Sequence, residues 1–521
     1  MNPIDLRLFS GRVTSICDEM GLVLRRTSFS PNIKDRLDFS CALFDAKGSL
    51  CAQAAHIPVH LGSMAYTMRD LVSQRIWQPG DVLALNDPFR GGTHLPDVTV
   101  VCPVFTNNRE LVGFVANRAH HAKIGAISPG SMPLSKNIDE EGVLIEPTLL
   151  YAQGQLQRDL KEPLRSLVFD KENFYETLCG DFSAQIGANQ VGVSRFSEMI
   201  AEQGETRFKF AVEALNNYGD RIATSAFSSF PNCAVEFTDW LDNDGLTQAK
   251  VPIKLKLEVM GEPTNKRILL DFSNSAEAVA GNLNCPMAVV AAASYYCLRC
   301  YMPDIAPACE GLFRRINIKV REGSIFNPLP GAAVAAGNVE TSQRLVDVIF
   351  GAFAKVLPQS TPAASQGTMN NVSIGSFAND KPWDYYETVG GGVGASSKFS
   401  GLNAVHSHMT NTLNTPIETI ETNFPLRIAR YEIREGSGGS GLRMGGDGVR
   451  RQYEFLESAH LTILSERRLF SPWGLQGGKP GVGGVNRLNG KQIAGKVSVA
   501  VDTGDSLLVE TPGGGGWGKA E

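Results

Sequence analysis

Long apolar runs, basic clusters and a regular cysteine framework are all missing from this 521-residue sequence. No stretch of about 18 apolar residues exists that could span a bilayer, and no block of Lys and Arg points to nucleic acid or a membrane surface. The first residues, MNPIDLRLFSGRV, carry charges within the apolar stretch and so differ from a signal or transit peptide. Ten scattered cysteines favour reduced thiols. We therefore expect a cytoplasmic protein that binds neither nucleic acid nor a membrane.

A phosphate-binding loop of the form G-x-x-x-x-G-K-[ST] is also absent, so we do not expect the chain to bind ATP through such a loop. Gly436, Gly438 and Gly441 satisfy the looser pattern G-x-G-x-x-G. They follow a strand-like segment and lead into further glycines rather than into a helix. We interpret them as hairpin turns.

Glycine, with 53 residues, is abundant and gathers late in the chain. Beyond residue 390, strand-like segments alternate with clusters such as MGGDG and GGKPGVGG, which is typical of a turn-rich β region. Apolar residues spaced by three and four predict a helix over 5–26 and two or three helices over 174–223. The segments 39–44 and 49–53 flank a turn and predict a β-hairpin.

A compact group of chemically capable residues lies in the segment 91-GGTHLPDVTVV-101. The proline between His94 and Asp97 argues against a helix, so both residues belong to a loop that enters a strand. This strand, a turn and a return strand form a predicted hairpin. If one bulge shifts its register, the hairpin brings His120 or His121 opposite Asp97.

Imidazole nitrogens and carboxylate oxygens brought together in this way could share one cation. The donor set suits manganese, iron or zinc better than calcium or magnesium, which prefer oxygen ligands. The pattern leaves a structural alternative open, in which each histidine packs in the core and Asp97 caps a turn. Five of the eight histidines of the chain lie close together in the sequence, namely His56, His60, His94, His120 and His121.

Together these patterns predict an α+β class with a large, mixed, multi-layer fold. We expect an N-terminal hairpin-rich metal-binding region, a central helical segment and a glycine-turn-rich β C-terminal region. The length exceeds what one core usually holds. We therefore predict two domains, with residues 1–235 forming the metal-binding and helical part and residues 236–521 forming a mixed α/β and then β-rich part.

Several long segments resemble the B subunit of the hydantoinase and oxoprolinase family. They are DFSCALFDAKGSLCAQAAHIPVHLGSM, NDPFRGGTHLPDVTVVCPVF, FVANRAHHAKIG, HSHMTNTLNTPIE, RYEIREGSGGSGLRMGGDGVRR and ETPGGGGWG. The resemblance covers nearly the whole chain. Related subunits occur in N-methylhydantoinases, in ATP-dependent oxoprolinases and lactamases, and in carboxylases of the acetone and acetophenone type.

For the acetone carboxylase branch, the resemblance implies a manganese site, with zinc or iron as alternatives. Its H-x-x-D pair is matched by His94 and Asp97, and the histidine that ends an Asn-x-x-His turn is matched by His120. An upstream aspartate is matched by Asp38 in the segment RLDFS. His121 is the alternative to His120.

The resemblance also implies a division of labour. An A-type partner subunit uses ATP to phosphorylate the amide or enol oxygen of the substrate, and this chain completes the reaction. Our leading expectation is metal-assisted ring opening of a small cyclic amide, such as a hydantoin, 5-oxoproline or another lactam, within an A2B2 heterotetramer. Carboxylation of a ketone is the first alternative, although carboxylase subunits of this type tend to be longer. A non-catalytic scaffold for the ATP-using subunit is the second.

Further histidines are candidates for proton transfer and substrate binding. His60 and His121 could move protons, because imidazole titrates near neutrality; core packing is the alternative for both. His406 and His408 alternate in AVHSHMTNTLNT and, with Asn411, could face a substrate pocket. A hydrogen-bonded turn network is the alternative for these three residues.

Overall fold

The computed structural model describes residues 1–55, 57–60, 62–170, 178–377 and 382–520. Helices and several sheets are both present, so the α+β class predicted from the sequence is confirmed. Within these ranges no helix is both long and apolar enough to cross a bilayer. The helices are α1 (Pro3–Thr27), α2 (Pro31–Lys34), α3 (Ser63–Ser73), α4 (Leu164–Val168), α5 (Gly180–Gln203), α6 (Glu205–Phe227), α7 (Met287–Arg299), α8 (Ser342–Ala354) and α9 (Ile417–Asn423).

A seven-stranded sheet in the order β2-β1-β5-β4-β3-β6-β7 dominates the N-terminal half, and each neighbouring pair is antiparallel. Both of its faces are covered, by α1 and α5 on one side and by α3 on the other. Successive residues of a strand point to opposite faces, so Leu43 packs with the first layer and Phe44 with the second. The strands are β1 (Phe39–Asp45), β2 (Leu50–Ala55), β3 (Val82–Leu85), β4 (Asp97–Phe105), β5 (Leu111–His120), β6 (Thr148–Ala152) and β7 (Gln155–Leu156).

Three further sheets follow, in the orders β11-β10-β9-β8, β13-β12-β16-β19 and β14-β15-β20-β17-β18. Helix α8 packs on the first of them and α7 packs on α8. The other two share one apolar core, as two sheets packed face to face do. The strands are β8 (Cys233–Leu241), β9 (Val251–Met260), β10 (Arg267–Asp271), β11 (Ile316–Lys319), β12 (Asn371–Ser376), β13 (Trp383–Glu387), β14 (Leu426–Arg434), β15 (Gly448–Phe455), β16 (Ala459–Leu464), β17 (Val485–Leu488), β18 (Lys491–Ile493), β19 (Lys496–Val501) and β20 (Ser506–Glu510).

Several elements predicted from periodicity are confirmed. The opening helix is α1, whose N-terminus is capped by the side chain of Asn2, and the first predicted hairpin is formed by β1 and β2. The predicted helices over 174–223 are α5 and α6, which are separated at Gly204. The start of that predicted range lies in residues 171–177, outside the described part of the chain, and His56 lies outside it as well. The proposed boundary at residue 235 falls within β8, and the division into two domains stays a prediction.

Glycine-rich segments of the C-terminal part pack backbone against backbone. A Cβ atom added to Gly446 would lie 1.9 Å from the carbonyl oxygen of Leu402 and 3.0 Å from the amide nitrogen of Val393. Neither backbone atom can rotate away as a side chain would. The glycine content of this part therefore reflects close packing as well as turns.

Replacing Gly446 by alanine is expected to lower the free energy of unfolding by about 1–3 kcal/mol, because the added methyl group overpacks this contact. The matched control is Gly187→Ala within α5, where nothing lies within 4 Å of the added Cβ. That change is expected to stabilise the protein by up to about 1 kcal/mol, since alanine favours helix. Urea unfolding of both variants measures the difference, and equal midpoints would contradict the packing argument.

Candidate metal centre

The hairpin of β4 and β5 brings the central residues of the site together. Asp97, the first residue of β4, pairs directly with His120, the last residue of β5, and the register shifts at a bulge between Val104 and Phe105. The pairing and the bulge predicted from the sequence are thus confirmed. Strand β1 lies on the other side of β5, and the His120 amide donates to the carbonyl of Asp38 at 3.0 Å. Three neighbouring strands therefore present these residues at one end of the sheet.

His94 joins them through the turn that precedes β4. The Asp97 amide donates to the His94 carbonyl at 3.1 Å, and the His94 Nε2 atom lies 3.2 Å from Asp97 Oδ1. His120 Nδ1 lies 3.4 Å from the same oxygen and 3.9 Å from Asp38 Oδ2. Ligand atoms of His94, Asp97 and His120 all lie within 4.8 Å of one another.

This geometry fits a transition metal. Nitrogen and oxygen ligands lie about 2.0–2.2 Å from such an ion, which separates neighbouring ligand atoms by about 3–3.4 Å. The separations of 3.2 and 3.4 Å around Asp97 Oδ1 agree with that spacing. The buried His94 Nε2 has no hydrogen-bond partner, and such an atom is costly unless something binds it.

Burial and charge keep the carboxylate of the centre ionised. Both His94 and Asp97 are at most 1% exposed. Burial alone would raise the pKa of Asp97, but the adjacent imidazoles of His94, His120 and His60 bring it well below its usual range. Burial alone would lower the pKa of His94, and the Asp97 carboxylate reverses this effect and raises it. The Asp97 carboxylate is therefore ionised at neutral pH.

The structure separates the two histidines predicted to transfer protons. His60 belongs to the same centre, because its Nε2 lies 3.5 Å from Asp97 Oδ2 and its Nδ1 is hydrogen-bonded to Ser40 Oγ at 3.1 Å. His121 lines a different pocket of about 540 Å³. Its Nε2 is hydrogen-bonded to Gln185 Oε1 at 2.8 Å, and burial lowers its pKa. His120, rather than His121, thus lies beside Asp97.

His406 and His408, the histidines predicted to contact substrate, do not line the cavity beside the candidate metal centre. This cavity of about 20 Å³ borders His94, Asp97 and His120. The segment that contains His406 and His408 contributes Thr410 and Thr412 to the lining of this cavity. His408 instead lies 3.3 Å from the hydroxyl of Tyr296. Burial lowers the pKa of both His406 and His408 to about 4, and Asn411 is exposed. A role for these three in substrate binding stays a prediction.

Other residues of the centre were not anticipated from the sequence. Thr93 Oγ1 donates to Asp97 Oδ2 at 2.5 Å, and Asn338 Nδ2 donates to the same oxygen at 3.3 Å. The Tyr386 ring stacks on His120 with centroids 5.2 Å apart. Thr93 adjoins the recognised motif and could have been found there. Asn338 belongs to a short π-helix, Gly337–Thr341, which no periodic pattern in the sequence predicts.

Glu340 lies on this π-helix and is fully buried. Its Oε1 accepts from the Met369 amide at 2.9 Å and from Asn371 Nδ2 at 2.7 Å. Burial raises its pKa from 4.5 to about 7. The native chain therefore holds a proton that the unfolded chain releases, and stability falls as the pH rises from about 4.5 to about 7.

Glu340→Gln keeps the accepting oxygen and removes the ionisation. The Tm of the variant minus that of the wild type is expected to be larger at pH 8 than at pH 5. The reason is that only the wild type carries a buried charge at the higher pH. Thermal unfolding at both pH values measures the two differences. A Tm difference that does not change with pH would contradict the raised pKa.

A mixed α+β fold whose antiparallel sheet gathers buried imidazole and carboxylate donors defines a candidate metal-binding protein. The model of the hydantoinase B/oxoprolinase family matches residues 2–520. The chain therefore belongs to this family, and the resemblance drawn from its motifs is confirmed.

Individual relatives agree with this membership. The chain is 40% identical to 5-oxoprolinase 1 of Arabidopsis thaliana over 99% of its own length and 42% of the relative, so it spans less than half of that protein. It is 29% identical to the B-type subunit of a putative D-/L-hydantoinase from Pseudomonas sp. (strain NS671), over 100% of this chain and 90% of that relative.

Two solved structures share the fold. The ATP-dependent caprolactamase from Pseudomonas jessenii superposes with a TM-score of 0.87 at 25% identity, over 100% of this chain and 91% of that chain. A nucleotide-free acetone carboxylase superposes with a TM-score of 0.85 over 99% of this chain and 76% of that chain. At 18% identity, the second similarity concerns the fold alone.

Proposed function

We propose that this chain is the B-type component of an ATP-dependent cyclic amide hydrolase and completes the opening of a ring that an A-type partner has phosphorylated. The buried donor set of His94, Asp97 and His120 is the observation that carries the proposal. The names of the 5-oxoprolinase, hydantoinase and caprolactamase relatives all refer to cyclic amides. The 5-oxoprolinase extends far beyond the matched region, which leaves room there for the ATP-using part that we assign to a separate partner.

Phosphorylation solves the chemical problem of an amide. Resonance feeds nitrogen density into the carbonyl group and makes its carbon a poor electrophile, and a phosphoryl group on the oxygen removes that resonance. A divalent transition metal, with manganese preferred over zinc or iron, would be held by His94, Asp97 and His120 with Asp38, and when bound would supply Lewis-acid polarisation.

Residues of the chain itself orient the centre. Thr93 and Asn338 both donate to Oδ2 of Asp97, which leaves Oδ1 facing the two imidazoles. Ser40 fixes the His60 ring through Nδ1, so that Nε2, which has no hydrogen-bond partner, can accept or release a proton beside Asp97. We assign His60 this proton transfer. His121 is the second candidate, at the neighbouring pocket.

The cavity is small and its lining residues are buried, so little room is left for bulk water beside the reacting groups. We propose that the complex is an A2B2 heterotetramer that acts in the cytoplasm. The substrate would be a hydantoin, 5-oxoproline or another lactam.

Reconstitution tests this function. The chain is purified with a candidate A-type partner and assayed for ring opening on hydantoin, 5-oxoproline and caprolactam, with and without ATP. We expect turnover of at least one substrate only when both chains and ATP are present. Ring opening by this chain alone, without ATP, would rule out the division of labour.

Ketone carboxylation is the second candidate, and the fold shared with acetone carboxylase is the observation that favours it. In that reaction the carbon of a phosphorylated enol would form a bond to carbon dioxide while the phosphoryl group is lost to water, which gives a β-keto acid and phosphate. Labelled bicarbonate distinguishes the two reactions. A product that retains the label, formed only when bicarbonate is present, would replace hydrolysis with carboxylation.

A further inference from the structure

A fully buried guanidinium lies near the metal centre without an anionic partner in the described part of the chain. Arg36, between α2 and β1, is 0% exposed. Its Nη1 donates to Asn32 Oδ1 at 3.2 Å and to the Tyr386 carbonyl at 3.1 Å, and its Nη2 donates to Thr388 Oγ1 at 3.2 Å. These acceptors are neutral, and Nε has no hydrogen-bond partner. Because a buried charge without a counter-ion is costly, this position favours an anion.

Arg118 is a second buried arginine near the centre, and its surroundings differ. Its Nε donates to Thr99 Oγ1 and its Nη1 to Ser63 Oγ, both at 2.8 Å, while its Nη2 reaches two further oxygens at 3.4 Å. Each nitrogen of Arg118 therefore has an acceptor, and none of these acceptors lines the cavity. Of the two guanidinium groups, that of Arg36 retains the capacity for a ligand.

Threonine hydroxyls extend from Arg36 to the cavity. Thr388 Oγ1, which accepts from Arg36, lies 2.8 Å from Thr412 Oγ1, and both residues line the cavity together with Thr410. The hydroxyl of Thr410 is buried without a hydrogen-bond partner. Guanidinium and hydroxyl groups are the donors with which proteins bind carboxylate and phosphoryl oxygens.

The Tyr386 ring connects this group of donors to the metal centre. Arg36 Cζ lies 4.8 Å from the centroid of the ring, and the ring stacks on His120 with an interplanar angle of 7°. Tyr386 itself lines the cavity. Tyr386 and Thr388, which both contact Arg36, line the cavity together with the candidate metal ligands, whereas Arg36 itself is not among the lining residues.

We propose that Arg36, Thr388, Thr410 and Thr412 form an anion site that holds an anionic oxygen group of the substrate while its ring lies at the metal centre. The inference rests on the proposed function for the source of the anion, which is either the phosphoryl group attached by the partner or a carboxylate on the cyclic amide. A volume of about 20 Å³ is too small for such a group. Binding of such a group therefore requires the cavity to widen while the threonines stay in contact with it, and Thr410 and Thr412 belong to a segment that contains neither helix nor strand.

Calorimetric titration of the purified chain, loaded with Mn²⁺ and without partner, tests the site. Inorganic phosphate is the probe in one series and acetate in the other. We expect the wild type to bind at least one anion, and Arg36→Gln to weaken that binding by about tenfold or more, since hydrogen bonds to charged groups are lost. Arg25→Gln, which removes an exposed arginine of α1, is the matched control and should keep the wild-type affinity.

Thr410→Val is the second variant, because it keeps the side-chain shape and removes a hydroxyl that has no partner in the structure. It is expected to fold normally and to weaken anion binding by roughly threefold to tenfold. This variant decides the question if Arg36→Gln does not fold.

The two probes distinguish the sources of the anion. Binding of phosphate alone assigns the site to the phosphoryl group, and binding of acetate alone assigns it to a substrate carboxylate. The proposal is overturned if neither anion binds the wild type, or if the affinities of the wild type and the site variants are equal. The titration contains no ATP, partner or cyclic amide. Its outcome is therefore independent of whether the reconstituted complex opens a ring, and the two proposals can fail separately.

Discussion

Replacing His94 by alanine is expected to strip the metal from the protein and to abolish turnover in the reconstituted complex. His94 Nε2 faces Asp97 Oδ1 at 3.2 Å and has no other partner, so the imidazole is available as a ligand. Loss of a residue that merely supports a metal ligand costs about 10–100-fold in affinity or activity. Loss of a ligand should exceed that, and we expect both bound metal and kcat to fall by more than about 100-fold. Elemental analysis and a ring-opening assay measure the two quantities.

The matched control is His460→Ala, on β16, where the ring is hydrogen-bonded to Ser498 and does not line the cavity of the centre. This variant should keep wild-type metal content and turnover. If the purified wild-type protein carried no stoichiometric transition metal and His94→Ala left the complex fully active, a scaffold role for this chain would replace the catalytic one.

Arg467→Met is expected to lower the free energy of unfolding by about 3–5 kcal/mol. Arg467 is fully buried and its Nη2 contacts Asp239 Oδ2 at 2.9 Å and the carboxylate of Asp347. Asp239 lies on β8 and Asp347 on α8, whereas Arg467 lies in the loop after β16. The Arg467 side chain therefore joins this loop to the β11-β10-β9-β8 sheet and to the helix that packs on it. Methionine fills the volume but leaves a buried carboxylate unpaired. Urea unfolding measures the loss.

Two comparisons separate this effect from a general loss of charge. Arg487→Met breaks a contact of 3.5 Å with Glu510 in which the arginine side chain is 39% exposed, and it should cost less than about 1 kcal/mol. Burial raises the pKa of Asp347 even with arginine present, so the carboxylate of the Arg467→Met variant takes up a proton readily as the pH falls. The loss of stability should therefore be smaller at pH 5 than at pH 8. Equal losses for both arginines would refute the ion-pair explanation.

Local sequence patterns predicted the hairpin of β4 and β5, which carries Asp97 and His120. A turn and two strands determine which residues pair, so residue spacing and one bulge brought His120 or His121 opposite Asp97, and the structure pairs Asp97 with His120. His94 followed because it lies three residues from Asp97. Asp38 came only from the family resemblance, since the pairing of β1 with β5 joins strands far apart in the chain.

Residues that enclose the centre escaped prediction for a physical reason. Asn338 and Tyr386 lie more than 200 residues beyond Asp97 in the sequence, and their contacts depend on how whole layers pack. The position of Asn338 also depends on a π-helix, whose turns are wider than those of the α-helices that apolar periodicity predicts. The histidines at 406 and 408 attracted attention by residue type, whereas the neighbouring threonines line the cavity.

The order of these residues along the chain has a consequence for biosynthesis. The proposed metal ligands all lie between Asp38 and His120, whereas much of the cavity lining beside them comes from residues between Asn338 and Thr412. An ion held by these ligands would have to enter before the later half of the chain packs against the early half, or wait for the cavity to open. We expect such an ion to exchange slowly with free chelators. The ions available while the chain folds would then influence which metal is bound, because a slowly exchanging ion need not be the one that equilibrium affinity favours.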